Sequence, residues 1–173
     1  TGTNNCDSSD SFFTMTAQNT TSNLKTYTNT QYGFELKYPA DFIDGGVQPF
    51  SDYLYAPDTN FTVVKRLEKT SDELVQVSTA TSATAVSSCV TYPSNTDEVS
   101  NTGNITINGI QFAKYDLGRV GLSHRFRDSI FSTVRNNTCY RIEIIESWLA
   151  NPEPAIDAIK EFTPIVMSFK FTN

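Results

Sequence analysis

Asn108 and Gly109 stand between two short apolar runs, Ile105-Thr106-Ile107 and Ile110-Gln111-Phe112, and this arrangement leaves the chain little freedom. A two-residue hairpin loop needs positive φ at both central positions, which Asn-Gly adopts at low cost. The predicted register sets Ile105 opposite Phe112 and Ile107 opposite Ile110, all on one face. A second hairpin is predicted over residues 124–147 around Asn136-Asn137. In it Phe131 faces Ile142, Thr133 faces Tyr140, Ser129 faces Ile144 and Arg127 falls opposite Glu146. Its reverse side carries Phe126, Asp128, Ile130, Val134, Cys139, Arg141 and Ile145, a mixture apolar enough that something must cover part of it.

The rest of the chain is in keeping with a sheet. At 173 residues it fits one domain. Its 12 Phe and 8 Tyr, with abundant Thr, favour strands over helices. Tyr32, Phe34, Leu36 and Tyr38 alternate with Gly33, Glu35 and Lys37, so residues 32–38 read as a strand with one buried face, closed by Pro39. Residues 61–67 and 74–79 are two further strand candidates, and residues 82–89 a short helix. Connections are expected at residues 58–62, 78–88 and 93–104, where Thr, Ser and Asn concentrate. Near the C-terminus, Ile156, Ile159, Phe162 and Val166 form a helical stripe. Pro164 interrupts it, predicting a kink or a helix that restarts with Thr163 as cap. The closing Ser168-Phe169-Lys170-Phe171 reads as extended.

Charge narrows the function classes. A net charge of -6 and a pI near 4.7 argue against nucleic acid, which needs a basic surface to displace counterions. No run of 18 apolar residues is present, so the chain as given contains no membrane-spanning helix. Residues 1–23 are nearly all polar and read as a tether ahead of a domain over residues 24–173. Thr1 in place of Met is read as removal of an N-terminal segment. Cys6 follows Thr3-Asn4-Asn5, which lacks the small and aliphatic residues of a lipidation signal.

Taken in order, the Tyr-Gly-Phe strand before Tyr38-Pro39, the Ile107-Asn108-Gly109 hairpin, the Cys139-Tyr140 strand and the final helix with Ser168-Phe169-Lys170-Phe171 resemble the PsbP-like family. The resemblance covers residues 24–171. It implies an α+β fold, an antiparallel β-sheet with helices packed on its faces in an α/β/α sandwich. Bacterial members are mostly small exported proteins and lipoproteins, which implies an extracellular or cell-envelope setting. Other relatives include an extrinsic photosystem II protein and a factor that binds the Ran GTPase, and nothing in this sequence points to either job. The three cysteines, Cys6, Cys89 and Cys139, allow at most one internal bridge, and three reduced thiols are the alternative. The resemblance implies the pairing Cys89 to Cys139.

Candidate sites are sparse. His124 is the one histidine, with Asp128 and Asp116 close in sequence, and it is either a surface residue or the base of a hydrolase or metal enzyme. No C-x-x-C, H-x-x-x-H, EF-hand loop, G-x-S-x-G or G-x-G-x-x-G accompanies it, so no metal or other cofactor is expected. Asp7, Asp10, Asp41 and Asp44 lack calcium-loop spacing. Four sequons, at Asn19, Asn60, Asn104 and Asn136, matter only in a host that glycosylates asparagine. Five of six arginines lie between Arg119 and Arg141. Arg125 and Arg127 share a strand face and form either a carboxylate-binding or anionic-glycan patch or cross-strand ion pairs such as Arg127 with Glu146. Tyr53 and Tyr55, beside Phe50, form either an aromatic contact surface or a flap over the sheet edge. The reading reached is an exported or envelope-tethered, non-catalytic binding or assembly module with a protein or glycan partner. The alternatives are a self-assembling surface subunit using Phe12 and Phe13, and an enzyme using His124.

Overall fold

The computed structural model describes residues 23–44, 58–68, 71–93, 98–120, 124–149 and 157–172. In chain order the elements are β1 (Leu24–Asn29), β2 (Phe34–Pro39), β3 (Ile43–Asp44), β4 (Thr59–Glu68), β5 (Ser71–Ala80), α1 (Ala83–Ser88), β6 (Val99–Ile107), β7 (Ile110–Val120), β8 (His124–Arg135), β9 (Thr138–Leu149), α2 (Ala158–Met167) and β10 (Lys170–Phe171). They form two antiparallel sheets, one of order β1-β2-β10 and one of order β3-β4-β5-β9-β8-β7-β6. The small sheet and α2 lie on one face of the large sheet, and α1 packs at the β9 end of the other.

Turn chemistry sets the registers. Asn108 (φ 47°) and Gly109 (φ 81°) join β6 to β7, and Asn136 (φ 49°) and Asn137 (φ 57°) join β8 to β9, each a two-residue turn with both φ values positive. Both predicted registers are present, including Ile105 opposite Phe112, Phe131 opposite Ile142 and Arg127 opposite Glu146. The expected connections are not: β4 already begins at Thr59, β5 runs on to Ala80, and Val99–Ile107 is a strand. The short helix occurs as α1, with Ser82 at its N-cap, Oγ accepting from Ala85 N.

α2 also departs from expectation. It neither stops nor restarts at Pro164 but continues to Met167, and Thr163, expected as a cap, instead donates from Oγ1 to the Ile159 carbonyl. The carbonyl that Pro164 leaves without its helical donor is that of Lys160, an exposed residue that water can reach. Ala158, Phe162, Ile165 and Val166 bury the inward stripe, and Ile156 lies outside the described residues. The N-terminal segment, with Cys6, Phe12 and Phe13, also lies outside them. Asn23 already belongs to the fold, its carbonyl accepting from Ala40 N at 2.9 Å.

The main core lies between the large sheet and the layer formed by α2 and the small sheet, and Phe169 stands at its centre. Its ring is fully buried, with centroids 5.4 Å from Phe34, 5.7 Å from Phe112, 6.5 Å from Tyr140 and 5.3 Å from Phe171. These partners come from both sheets. On the opposite face Cys89 and Cys139 are joined in a disulfide between α1 and β9, buried with Ala80 and Ala85. Truncating Phe169→Ala removes a fully buried ring that touches both sheets and should cost about 3–5 kcal/mol, the range for large buried aromatics. Urea denaturation gives the number, and a loss under 1 kcal/mol would refute the central role assigned to this ring.

Candidate functional site

Side chains alternate across the large sheet, so each face collects its own set of polar groups. On the α2 face, Arg127 donates from Nε and Nη2 to Glu146 Oε2 at 3.0 and 2.6 Å, and from Nη2 to Asp157 Oδ1 at 3.3 Å. Asp157 is the N-cap of α2 and also accepts from Lys160 N. One guanidinium therefore fastens the sheet to the first turn of the helix. Glu146 is fully buried; burial raises its pKa, and Arg127 offsets that only in part.

This geometry divides the predicted arginine pair. Arg127 is committed to two carboxylates, the cross-strand pairing that the register predicted. Arg125 is exposed and has no ion pair among the described residues. Its neighbours in the arginine-rich stretch are all engaged: Arg119 with Asp128, Arg141 with Glu143 at 2.6 Å, and Arg135 over the Phe171 ring at 4.3 Å. Tyr53 and Tyr55 lie outside the described residues.

The other face carries Asp128 and Arg141, as the hairpin register placed them, together with polar groups from β4 and β5 that sequence reading passed over. Thr62 on β4, Gln76 and Ser78 on β5, Asp128 and Ser132 on β8, and Arg141 and Glu143 on β9 are all buried, in adjoining cross-strand positions. The Arg141–Glu143 and Arg119–Asp128 pairs balance their charges within the face. Among the described residues Thr62 Oγ1, Gln76 Oε1, Ser78 Oγ and Asp128 Oδ1 have no hydrogen-bond partner. A buried polar atom without a partner costs about 1–3 kcal/mol, so this face lowers stability where an apolar one would raise it. At its rim the Arg119 side chain is 48% exposed and lies over the Phe126 ring. Burial pushes the Asp128 carboxyl up to about 6, against the pull of Arg119. A titratable group so displaced, beside unpartnered oxygens, marks a candidate binding site. The signal available in sequence was the alternation of Arg141 with Glu143, which places both on one face.

Asp116 is set differently. Burial works against its ionised form, but hydrogen bonds from Ser129, Asn101 and Lys114 outweigh that and hold its pKa below the ordinary value. His124 opens β8 opposite Leu149. Asp128 lies four positions further along the strand, about 13 Å away at the usual strand rise, so this acid is not placed beside the histidine. Among the described residues no group of three or more His, Cys, Asp or Glu could hold a metal ion, and no helix is long and apolar enough to cross a membrane.

The sequence matches no protein-family model and no curated protein. Solved structures do match. LpqN, involved in cell envelope biogenesis of Mycobacterium tuberculosis, aligns with a TM-score of 0.54 at 8% identity, over 87% of this chain and 91% of its own. A protein from Bacteroides thetaiotaomicron aligns with a TM-score of 0.52 at 11% identity over 86% of this chain. This chain spans about half of that protein's length, 48%. The Ran-binding protein Mog1p of Saccharomyces cerevisiae aligns with a TM-score of 0.51 at 15% identity, over 88% of this chain and 97% of its own. These likenesses show the fold: the chain has the α+β fold of LpqN and Mog1p, the fold that the PsbP-like resemblance implies.

Because the folded-state pKa of Asp128 lies above its ordinary 3.8, ionisation opposes folding. The cost is absent below about pH 4, grows between pH 4 and 6, and is complete above that, amounting to about 3 kcal/mol. Asp128→Asn should therefore gain about 1–3 kcal/mol relative to the parent between pH 4 and pH 8, read from denaturation at both values. An offset that is the same at the two pH values would contradict the assignment.

Proposed function

We propose that this protein is an exported, non-catalytic binding or assembly module that engages a protein or glycan partner at the cell envelope. The observation that carries the binding role is the polar face of the large sheet, where four buried oxygens lack partners among the described residues. Such groups favour a partner that offers hydrogen-bond donors. The charged groups around them are locked in pairs, which suits recognition better than proton transfer, since a general acid or base must be free to change its proton. The fold neighbours lend support: LpqN is tied to envelope biogenesis and Mog1p binds a protein partner, Ran. Export draws support from the Cys89–Cys139 bond, because disulfides persist where the surroundings are oxidising. Arg125 is the arginine left to meet a carboxylate on the partner.

Two experiments test this reading. Alkylation and intact mass of protein taken from its source should find two protected sulfurs; reduced Cys89 and Cys139 would argue against export. Affinity capture from the source's envelope fraction should then enrich a specific component with the native protein, less with Arg125→Ala, and least with Gln76→Leu/Asp128→Asn. Equal retention by all three would remove the binding role from the polar face. An activity lost in a folded His124→Ala variant would favour the enzyme instead.

A further inference from the structure

We propose that a second copy of this chain pairs along β6, antiparallel and about a two-fold axis, so that two large sheets join into one. Exposed sheet edges invite pairing with another strand, and proteins guard them with charge, proline or bulges. Among the described residues the other edge strands carry charge in their sequences: Lys25 on β1, Lys170 on β10, Asp44 on β3, and Lys65, Arg66 and Glu68 on β4 beyond it. β6, Val-Ser-Asn-Thr-Gly-Asn-Ile-Thr-Ile, has no ionisable residue and no proline along its whole length.

Its first half is guarded by shape. The register shifts between Ser100 and Gly103, Asn101 takes φ 50°, and Asn101 Nδ2 is bound to Asp116 at 2.6 Å. From Gly103 to Ile107 the pairing with β7 is regular; the Tyr92 hydroxyl donates to the Gly103 carbonyl at 2.9 Å, and beyond it, among the described residues, no further strand covers the outer side. The two-residue turn makes Ile107 and Ile110 a hydrogen-bonded pair, so Ile105 also points its backbone groups at β7. Asn104 and Thr106, both exposed, therefore direct N–H and C=O outward.

That pattern is self-complementary. With Ile105 against the partner's Ile105, Asn104 falls opposite Thr106 of the partner subunit and Thr106 opposite the partner's Asn104, each pair exchanging both of its hydrogen bonds. On the α2 face, Ile105 is half-buried against the main core, and the two copies bring these side chains together across the axis. The segment adds no charge repulsion of its own. Repulsion from the net charge of -6 on each copy weakens as salt screens it. The pairing uses a different surface from the polar face and stands whether or not that face binds a partner.

Light scattering on the full chain over a dilution series tests the proposal. The mass should rise with concentration from 19.2 kDa toward twice that value, more readily in high salt. Asn104→Pro keeps the β7 ladder, because the N–H it removes points outward, yet blocks the pairing. Thr106→Lys adds the missing edge charge and serves if the proline variant does not fold. Both should stay at one chain mass with an unchanged melting temperature. A native chain that stays at one chain mass throughout overturns the proposal, as would happen if this edge took an extended segment of another protein. Association of both variants as strong as the parent's overturns it too.

Discussion

The two sheets share no strand, so their relative position depends on the rings that fill the space between them, Phe169 against both sheets and Tyr27 stacked on Phe61. Aromatic rings at these separations and tilts add directional attraction to the burial of their area. Polar bonds hold the same point from outside. Ser168 Oγ accepts from Lys37 N and lies within donating distance of the Lys37 carbonyl, while Thr172 N donates to Gly33. The last residues described, though short, thus clip β2 to the end of α2 and fix the angle at which the small sheet meets the large one.

The faces of the large sheet meet different demands. The α2 face is filled with Phe, Ile, Val and Tyr, and the ionic cluster of Arg127, Glu146 and Asp157 binds the helix to the sheet. The opposite face replaces apolar packing over much of its width with Thr, Gln, Ser and paired charges, and a disulfide closes one end. Closing a loop of 50 residues restricts the unfolded chain and stabilises the fold by roughly 4 kcal/mol on the chain-entropy model. The cross-link therefore sits on the face whose own packing contributes least.

What the sequence disclosed follows from how strongly each feature is locally determined. Asn108-Gly109 and Asn136-Asn137 fix registers because a two-residue turn admits one pairing, and the Arg127–Glu146 contact came with the second of them. No two-residue turn joins β7 to β8, so Arg119 could not be set beside Asp128 from sequence. β1 and the first half of β6 were passed over for a different reason. Both are edge strands, largely exposed, and such strands need no apolar alternation to record. The extent of the polar face was hidden because composition does not reveal burial: Thr62 and Ser78 fell in expected connections, yet with Gln76 they are at most 3% exposed. Pro164 misled because its cost depends on whether the carbonyl it orphans is buried, which only the fold decides.

Asn108 carries more than a turn. Its side-chain amide donates to the Met167 carbonyl at 3.1 Å and to the Phe169 carbonyl at 2.7 Å, so the tip of one hairpin holds the chain where α2 gives way to β10. Asn followed by Gly is also the dipeptide whose side chain is most readily lost to deamidation, because glycine leaves the following backbone nitrogen unhindered to attack the amide. Conversion to aspartate would put a carboxylate against two carbonyl oxygens, turning two attractions into repulsions beside the ring that joins the sheets. The molecule's chemical ageing is thereby tied to its weakest topological link, and its shelf life in solution would be set by one amide rather than by the size of its core.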